Sequence, residues 1–434
     1  MFRNFRPRIL NWKQSDFRKN VATLLTGNSI SQILPLLVYP VLTRLYSTED
    51  FGVLALFMST SGILSILATG RYEYAILLPP KENKSFNLIA LCTFICLITS
   101  LIVFTISTIW NRPISILLGS ENIKDFLPFV GLMVLFTGFS QILNLTGTRY
   151  KEFKNVAGYL VINSTANTVL RLLLGIAAVA GGLIAAVVTS QIISTIYFGI
   201  KILKNKFRNI LKQIRISEIK NVSREFNLFP RFNLLHAFTN FLSGNLPIFA
   251  FSRFFGDDIT GLYSVGFTLL FRPVNLFTNS ISQVMSQKIV ERNRNELPLT
   301  GIFLKTIGRI VAYSAIPFIF IFLIAPFAFK IILGSEWYTA GVYVRIILPW
   351  IFFVLLCAPF AFVPMAFKRQ KKALIIDIVY LFLRLISLAT GILYNNIYLA
   401  IILFSASGVI MLGATLLWYH RILLNADRNK TIIQ

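Results

Sequence analysis

The chain has 434 residues, 56% of them hydrophobic, with a mean hydropathy of +0.71. Apolar stretches long enough to cross a hydrocarbon core of about 30 Å recur along it, which sets it among polytopic helical membrane proteins. A net charge of +25 would suggest nucleic-acid binding in a soluble chain, but most basic residues fall in short connections between apolar stretches; the charge reports topology, and nucleic acid is not an expected partner. Cys92, Cys96 and Cys357 lie in apolar segments without paired or metal-ligand spacing, which argues against a disulfide framework or a zinc site.

The first twenty residues are polar and basic (Arg3, Arg6, Arg8, Lys13, Arg18, Lys19), with no apolar core followed by a small-residue cleavage site. They do not read as a signal peptide, and the amino terminus is expected in the cytoplasm. Apolar length then predicts about twelve spans. Those of the first half are 21–44, 51–78, 86–110, 126–148, 156–180 and 183–203; those of the second are 226–254, 259–290, 300–329, 342–367, 373–394 and 397–424.

Lys and Arg alternate from one connection to the next. Arg149, Lys151 and Lys154, the run from Lys201 to Arg224, and Lys368, Arg369, Lys371 and Lys372 mark one side. The opposite side holds Arg44 with Glu49 and Asp50, Arg253 with Asp257 and Asp258, and two uncharged turns. The positive-inside rule makes the first side cytoplasmic and places both termini there. No outer connection is long enough to form a domain, which weakens any reading as a membrane glycosyltransferase, polymerase or ligase. The expected organisation is a lobe at 1–204, a basic cytoplasmic linker at 205–225 and a second lobe at 226–434.

The halves repeat without inversion. Arg44-Leu-Tyr-Ser-Thr-Glu-Asp-Phe-Gly52 aligns with Arg253-Phe-Phe-Gly-Asp-Asp-Ile-Thr-Gly261, Leu118-Gly-Ser-Glu121 with Leu333-Gly-Ser-Glu336, and Leu170-Arg171-Leu172 with Leu383-Arg384-Leu385. Three matches in one order at nearly constant offset argue for duplication. The fold class expected is therefore all-α integral membrane, with two parallel six-helix repeats forming N- and C-lobes around a central cavity. Pro35, Pro40, Pro247, Pro273, Pro359 and Pro364 mark places where spans can bend. Arg272, Arg171 and Arg384 lie within spans with hardly any acid equally deep, a pattern that points to a pathway for an anion.

Ser31-Gln-Ile-Leu-Pro-Leu-Leu-Val-Tyr-Pro-Val-Leu-Thr-Arg-Leu-Tyr46, followed by Glu49-Asp50-Phe51-Gly52 and Arg71-Tyr-Glu-Tyr-Ala-Ile-Leu-Leu-Pro79, resembles the opening of Wzx-type oligosaccharide flippases. These belong to the polysaccharide transport family of the multidrug, oligosaccharidyl-lipid and polysaccharide exporter superfamily. Ser252-Arg-Phe-Phe-Gly256 with Gly261-Leu-Tyr263 resembles the same family's junction of seventh and eighth spans. The resemblance implies translocation of an undecaprenyl-pyrophosphate-linked oligosaccharide, such as an O-antigen unit, from the inner to the outer leaflet of a bacterial inner membrane. It also implies a cationic cavity, no cofactor beyond proton or Na⁺ coupling, and polysaccharide polymerase and chain-length proteins as partners.

On that reading Arg272 contacts pyrophosphate, because guanidinium donates bidentate bonds to phosphate oxygens. Arg171 and Arg384 are either a symmetric pair facing the cavity or a duplicated structural contact. Arg71 is a candidate for receiving the head group at the inner mouth, and Glu73 is the candidate ion-coupling site. Two residues apart on one helix, they are expected to face different ways. Arg231 and Arg345 lie near span ends, where snorkelling to water is the simpler account. Asn28 and Gln32, one helical turn apart, suit either sugar hydroxyls or interhelical hydrogen bonds. His236 is expected to be a satisfied packing residue, with proton coupling as the lesser alternative. Lipid II shares the anionic pyrophosphate and stays open as the cargo. A drug or cation exporter fits less well, since the first span carries no deep carboxylate. For an enzyme, the only clustered acids are Glu49, Asp50, Asp257 and Asp258, at turns where helix capping explains them.

Overall fold

The computed structural model describes residues 14–204 and 212–433; the basic residues Arg3, Arg6, Arg8 and Lys13 and the linker stretch 205–211 lie outside it. The described residues are helical almost throughout and contain no strand. In chain order the first half holds α1 (Gln14–Leu45), α2 (Thr48–Ser65), α3 (Glu82–Ile109), α4 (Asn111–Leu118), α5 (Leu127–Arg149), α6 (Phe153–Ile176) and α7 (Gly182–Leu203). After α8 (Ile216–Glu225) come α9 (Leu234–Phe255), α10 (Asp257–Arg294), α11 (Thr300–Leu333), α12 (Tyr338–Cys357), α13 (Val363–Ala366), α14 (Gln370–Leu393) and α15 (Ile397–Ile433). With α4, α8 and α13 as short connectors, twelve spans remain, six in each half.

Both halves pack by one scheme. In the first, α1 lies on α6, α3 on α5, α2 on α5, and α7 on both α5 and α6. In the second, α9 lies on α14, α11 on α12, α10 on α12, and α15 on both α12 and α14. Eight spans are long and apolar enough to cross a membrane on length and composition alone, and the other four are α1, α2, α9 and α10. Their lower apolarity has a structural cause: contacts between the halves run through these four, so part of their surface meets protein rather than lipid.

Two expected spans are interrupted. The second was expected to continue to Leu78, but α2 ends at Ser65 and a 3₁₀ helix follows at Tyr72–Leu77. Gly70 and Arg71 adopt φ of 58° and 62°, and two successive left-handed residues cannot continue a right-handed helix. The tenth was expected to run to Phe367, yet α12 stops at Cys357 and gives way to a 3₁₀ turn at Ala358–Phe360 and α13, with Pro359 and Pro364 at their second positions. The helices pass through Pro35, Pro40, Pro247 and Pro273 without a break.

Arg345 shows how one mid-chain arginine is used for packing. Pro326 has no N–H to give the Phe322 carbonyl one turn earlier in α11. The Arg345 Nε on α12 donates to that oxygen at 2.8 Å, and its Nη2 donates to Leu323 O at 3.0 Å.

Candidate substrate cleft

The lobes are joined at the end that the positive-inside rule places outside, and the join is reciprocal. A Cβ on Gly52 would overlap the Asp257 carbonyl, and one on its repeat partner Gly261 would overlap the Thr48 carbonyl. Thr43 Oγ1 donates to Leu333 O at 3.0 Å, while its counterpart Ser252 Oγ donates to Leu118 O at 3.0 Å. The motifs that align between the halves thus contact each other across the boundary. Ser47 caps α2 in a box with Asp50 (Ser47 N to Oδ2, 2.9 Å), which frees Thr48 Oγ1 to donate to Asp258 at 2.6 Å. Asp257, 8% exposed, accepts from Ser120 Oγ at 2.6 Å, Asn122 Nδ2 at 3.3 Å and Ser252 Oγ at 3.4 Å. These bonds satisfy a carboxylate that the lobe contact has largely removed from water.

Inward of this clamp lie Arg171 of the first lobe and Arg272 of the second. Arg171 is buried in the last two turns of α6, held by Tyr39 of α1, and the positive charge of Arg272 acts on it. Arg272 is half-buried and lies fifteen residues into α10, about 22 Å from its outer end. Neither cation has a carboxylate partner among the described residues. Two uncompensated like charges within electrostatic range of each other raise the potential between them and favour an anion there.

Arg384, the repeat counterpart of Arg171, is placed differently. Its guanidinium lies over Tyr380, Phe404 and Trp350, at 4.0, 4.8 and 5.0 Å from the ring centroids, and donates to Ser243 O, Ser243 Oγ and Tyr380 Oη. It borders a cavity of about 300 Å³ inside the second lobe, shared with Asn240, Asp377 and Tyr419. Each of the two arginines reaches the first helix of its own lobe.

Arg71 and Glu73 are paired, contrary to the expectation that they face apart: Nη1 to Oε1 is 3.5 Å. The expectation assumed a continuous α-helix, whereas the left-handed Arg71 starts a tighter 3₁₀ turn that swings its side chain back over Glu73. The Glu73 side chain is 1% exposed and also accepts from Thr69 Oγ1 at 2.5 Å. Arg71→Ala is expected to cost about 3 kcal/mol of stability by leaving a buried carboxylate unpaired, and Arg71→Ala/Glu73→Ala to recover part of it. Thermal unfolding of the two single variants and the double variant checks this; strictly additive losses would show that the pair is not coupled.

Arg231 is exposed in a π-helical turn, Phe229–Asn233, which meets the Tyr72–Leu77 segment of the other lobe at the inner end. Asn28 and Gln32 bond to each other (3.1 Å), and neighbouring Ser31 accepts at its carbonyl from Ser164 Oγ at 2.7 Å, tying α1 to α6. His236 is exposed beside Asn240 rather than packed. The tyrosine contact of Arg171 and the Arg345 bonds to α11 were not anticipated. Of these only the last left a sequence signal, a proline four residues after an unserved carbonyl.

The fold is shared with solved transporters. A lipid II flippase, MurJ, in an inward closed conformation superposes with a TM-score of 0.73 at 13% identity, covering 93% of this chain and 90% of that one. An inward-facing multidrug resistance transporter of the MATE family gives 0.66 at 14% identity, covering 93% and 96%. A transporter of the same superfamily from Pyrococcus furiosus, described as having a binding pocket of reversed polarity, gives 0.54 at 12%, covering 94% and 96%. No curated protein matches the sequence. The chain is a multi-pass membrane protein with the fold of this exporter superfamily. A polysaccharide biosynthesis protein model matches residues 41–341, more than half of the chain, and the protein therefore belongs to the polysaccharide biosynthesis protein family.

Proposed function

We propose that the chain is a flippase that carries a lipid-linked oligosaccharide pyrophosphate, of the undecaprenyl type used for surface polysaccharides, across a bacterial inner membrane from the cytoplasmic leaflet. The observation that carries this reading is a pair of arginines without carboxylate partners, Arg171 buried in the first lobe and Arg272 within electrostatic range of it in the second. Arg272 engages the pyrophosphate and Arg171 adds to the potential that draws it in. Arg71 and Arg231, at the inner end, form the entry, and Asn28 and Gln32 offer polar groups to the glycan. Arg384 supports the second lobe.

Membership of a polysaccharide biosynthesis family and the fold of a lipid II flippase both support a glycan carried on lipid. The membrane potential favours outward movement by about 2.3 kcal/mol per negative charge per 100 mV. The desolvation of phosphate and sugar is then the main barrier, which a cationic site between the lobes lowers. Glu73 is the coupling carboxylate in this scheme, because protonation would release it from Arg71. Both termini lie in the cytoplasm, and the chain has no catalytic role.

Binding of undecaprenyl-pyrophosphate oligosaccharide by the purified protein, against the same glycan on uncharged polyprenol, tests the reading. At least a tenfold preference for the pyrophosphate is expected; equal binding would remove the cationic site from recognition.

A further inference from the structure

A second cationic cavity lies away from the cleft, on the face that the positive-inside rule places in the cytoplasm. It encloses about 360 Å³ and is lined by Phe367, Arg369, Lys372, Trp418, Arg421 and Asn425, among others. Lys368 takes a left-handed turn (φ 55°), and Arg369 N bonds to Pro364 O at 2.7 Å, folding the α13–α14 connection over the cavity. Arg369 and Lys372 approach from the start of α14; Trp418, Arg421 and Asn425 share one face of α15. Lys372 Nζ stands over the Trp418 ring at 5.7 Å.

The cavity lining has three cations and no acid. The nearby carboxylate of Asp427 is occupied elsewhere, accepting from Leu299 N and from Thr300 N and Oγ1 at 2.7–3.0 Å. Depth indicates the ligand. α15 starts at Ile397, so Trp418, twenty-one residues on, lies about 32 Å along the helix, at the far boundary of a hydrocarbon core about 30 Å thick. Arg421 and Asn425 then reach the headgroup layer, where lipid phosphates sit, and an aromatic side chain marks the interface.

We propose that this cavity binds the phosphate headgroup of an anionic phospholipid of the cytoplasmic leaflet. Arg369, Lys372 and Arg421 hold the phosphate, Asn425 bonds the headgroup, and the Trp418 and Phe367 faces receive the first carbons of the acyl chains. The site is independent of the cleft and of the cargo.

The test titrates the full-length protein in detergent with short-chain phosphatidylglycerol, phosphatidylcholine and glycerol 3-phosphate, reading bound lipid by native mass spectrometry and free anion by calorimetry. Phosphatidylglycerol should bind at least tenfold tighter than either of the others. Each cation near a membrane surface is worth about a fivefold change in binding. Arg421→Gln should thus weaken binding about fivefold, and Arg369→Gln/Lys372→Gln/Arg421→Gln about a hundredfold. Lys201→Gln/Lys212→Gln/Arg215→Gln, an equal charge change on the first lobe's inner end, should alter it less than threefold. An equal loss in that control would make the attraction diffuse and overturn the site. Phosphatidylcholine binding as tightly as phosphatidylglycerol would overturn its anion selectivity, and glycerol 3-phosphate doing so would make the ligand a free anion rather than a lipid.

Discussion

Arg272→Ala is expected to lower transfer of a pyrophosphate-linked glycan roughly 10- to 100-fold, the range that corresponds to losing charge-assisted hydrogen bonds worth about 1.5–3 kcal/mol. Stability should hold, because Arg272 has no ion-pair partner among the described residues. Arg272→Lys should fall between, since an ammonium keeps the charge and loses the fork that matches two phosphate oxygens. Arg384→Ala separates the two kinds of arginine. Its guanidinium is bonded to Ser243 and Tyr380 and stacked on three rings, so it should lower the unfolding temperature more than any Arg272 variant does. Full transfer by Arg272→Ala in a folded protein would make that residue structural and take the cationic cleft with it.

The second large effect is expected at the clamp. Gly261→Leu and Gly52→Leu each place side-chain atoms where the other lobe's backbone passes, at Thr48 and Asp257 respectively. Overpacking of this kind costs about 1–3 kcal/mol, and the cost falls only on conformations in which the outer ends are joined. The lobes should therefore shift toward separation at that end by roughly 5- to 100-fold in population. Thr48→Cys with Asp258→Cys reports this directly, because the native side chains meet at 2.6 Å and the three native cysteines are buried. Oxidation should cross-link the pair readily in the parent and poorly when Gly261 is leucine. Equal cross-linking would mean that the crossing gives way without separating the lobes.

Most of the architecture was legible in the sequence, because twelve apolar stretches and three repeated motifs are properties of composition and order. Most span ends were readable to within a few residues; the first helix starts seven residues before the expected span and the last runs nine residues beyond it, because polar ends extend the helices past their apolar stretches. The second span was read straight through Gly70, nothing marked Arg71 as left-handed, and that residue's conformation reverses the reading of Arg71 and Glu73 from separate groups to a pair. The repeats disclosed a duplication without disclosing their use. Thr43 and Ser252, or Gly52 and Gly261, match because each contacts the other lobe, a relation that alignment of the halves cannot express. The three deep arginines were alike in sequence. Packing distinguished one of them, since the Arg384 guanidinium is stacked on three aromatic rings and bonded to Ser243 and Tyr380 at the edge of a cavity in the second lobe.

The central claim is that anionic glycolipid crosses the membrane between the two lobes, and sidedness tests it most directly. Proteoliposomes would carry an undecaprenyl-pyrophosphate oligosaccharide in the inner leaflet only, and an external glycosidase would report its arrival outside. The account predicts rapid exposure with the parent protein, exposure slowed at least tenfold with Arg272→Ala, and none above protein-free vesicles when the parent lobes are locked by the Thr48→Cys/Asp258→Cys disulfide. Exposure that continues undiminished with the lobes locked would contradict passage between them.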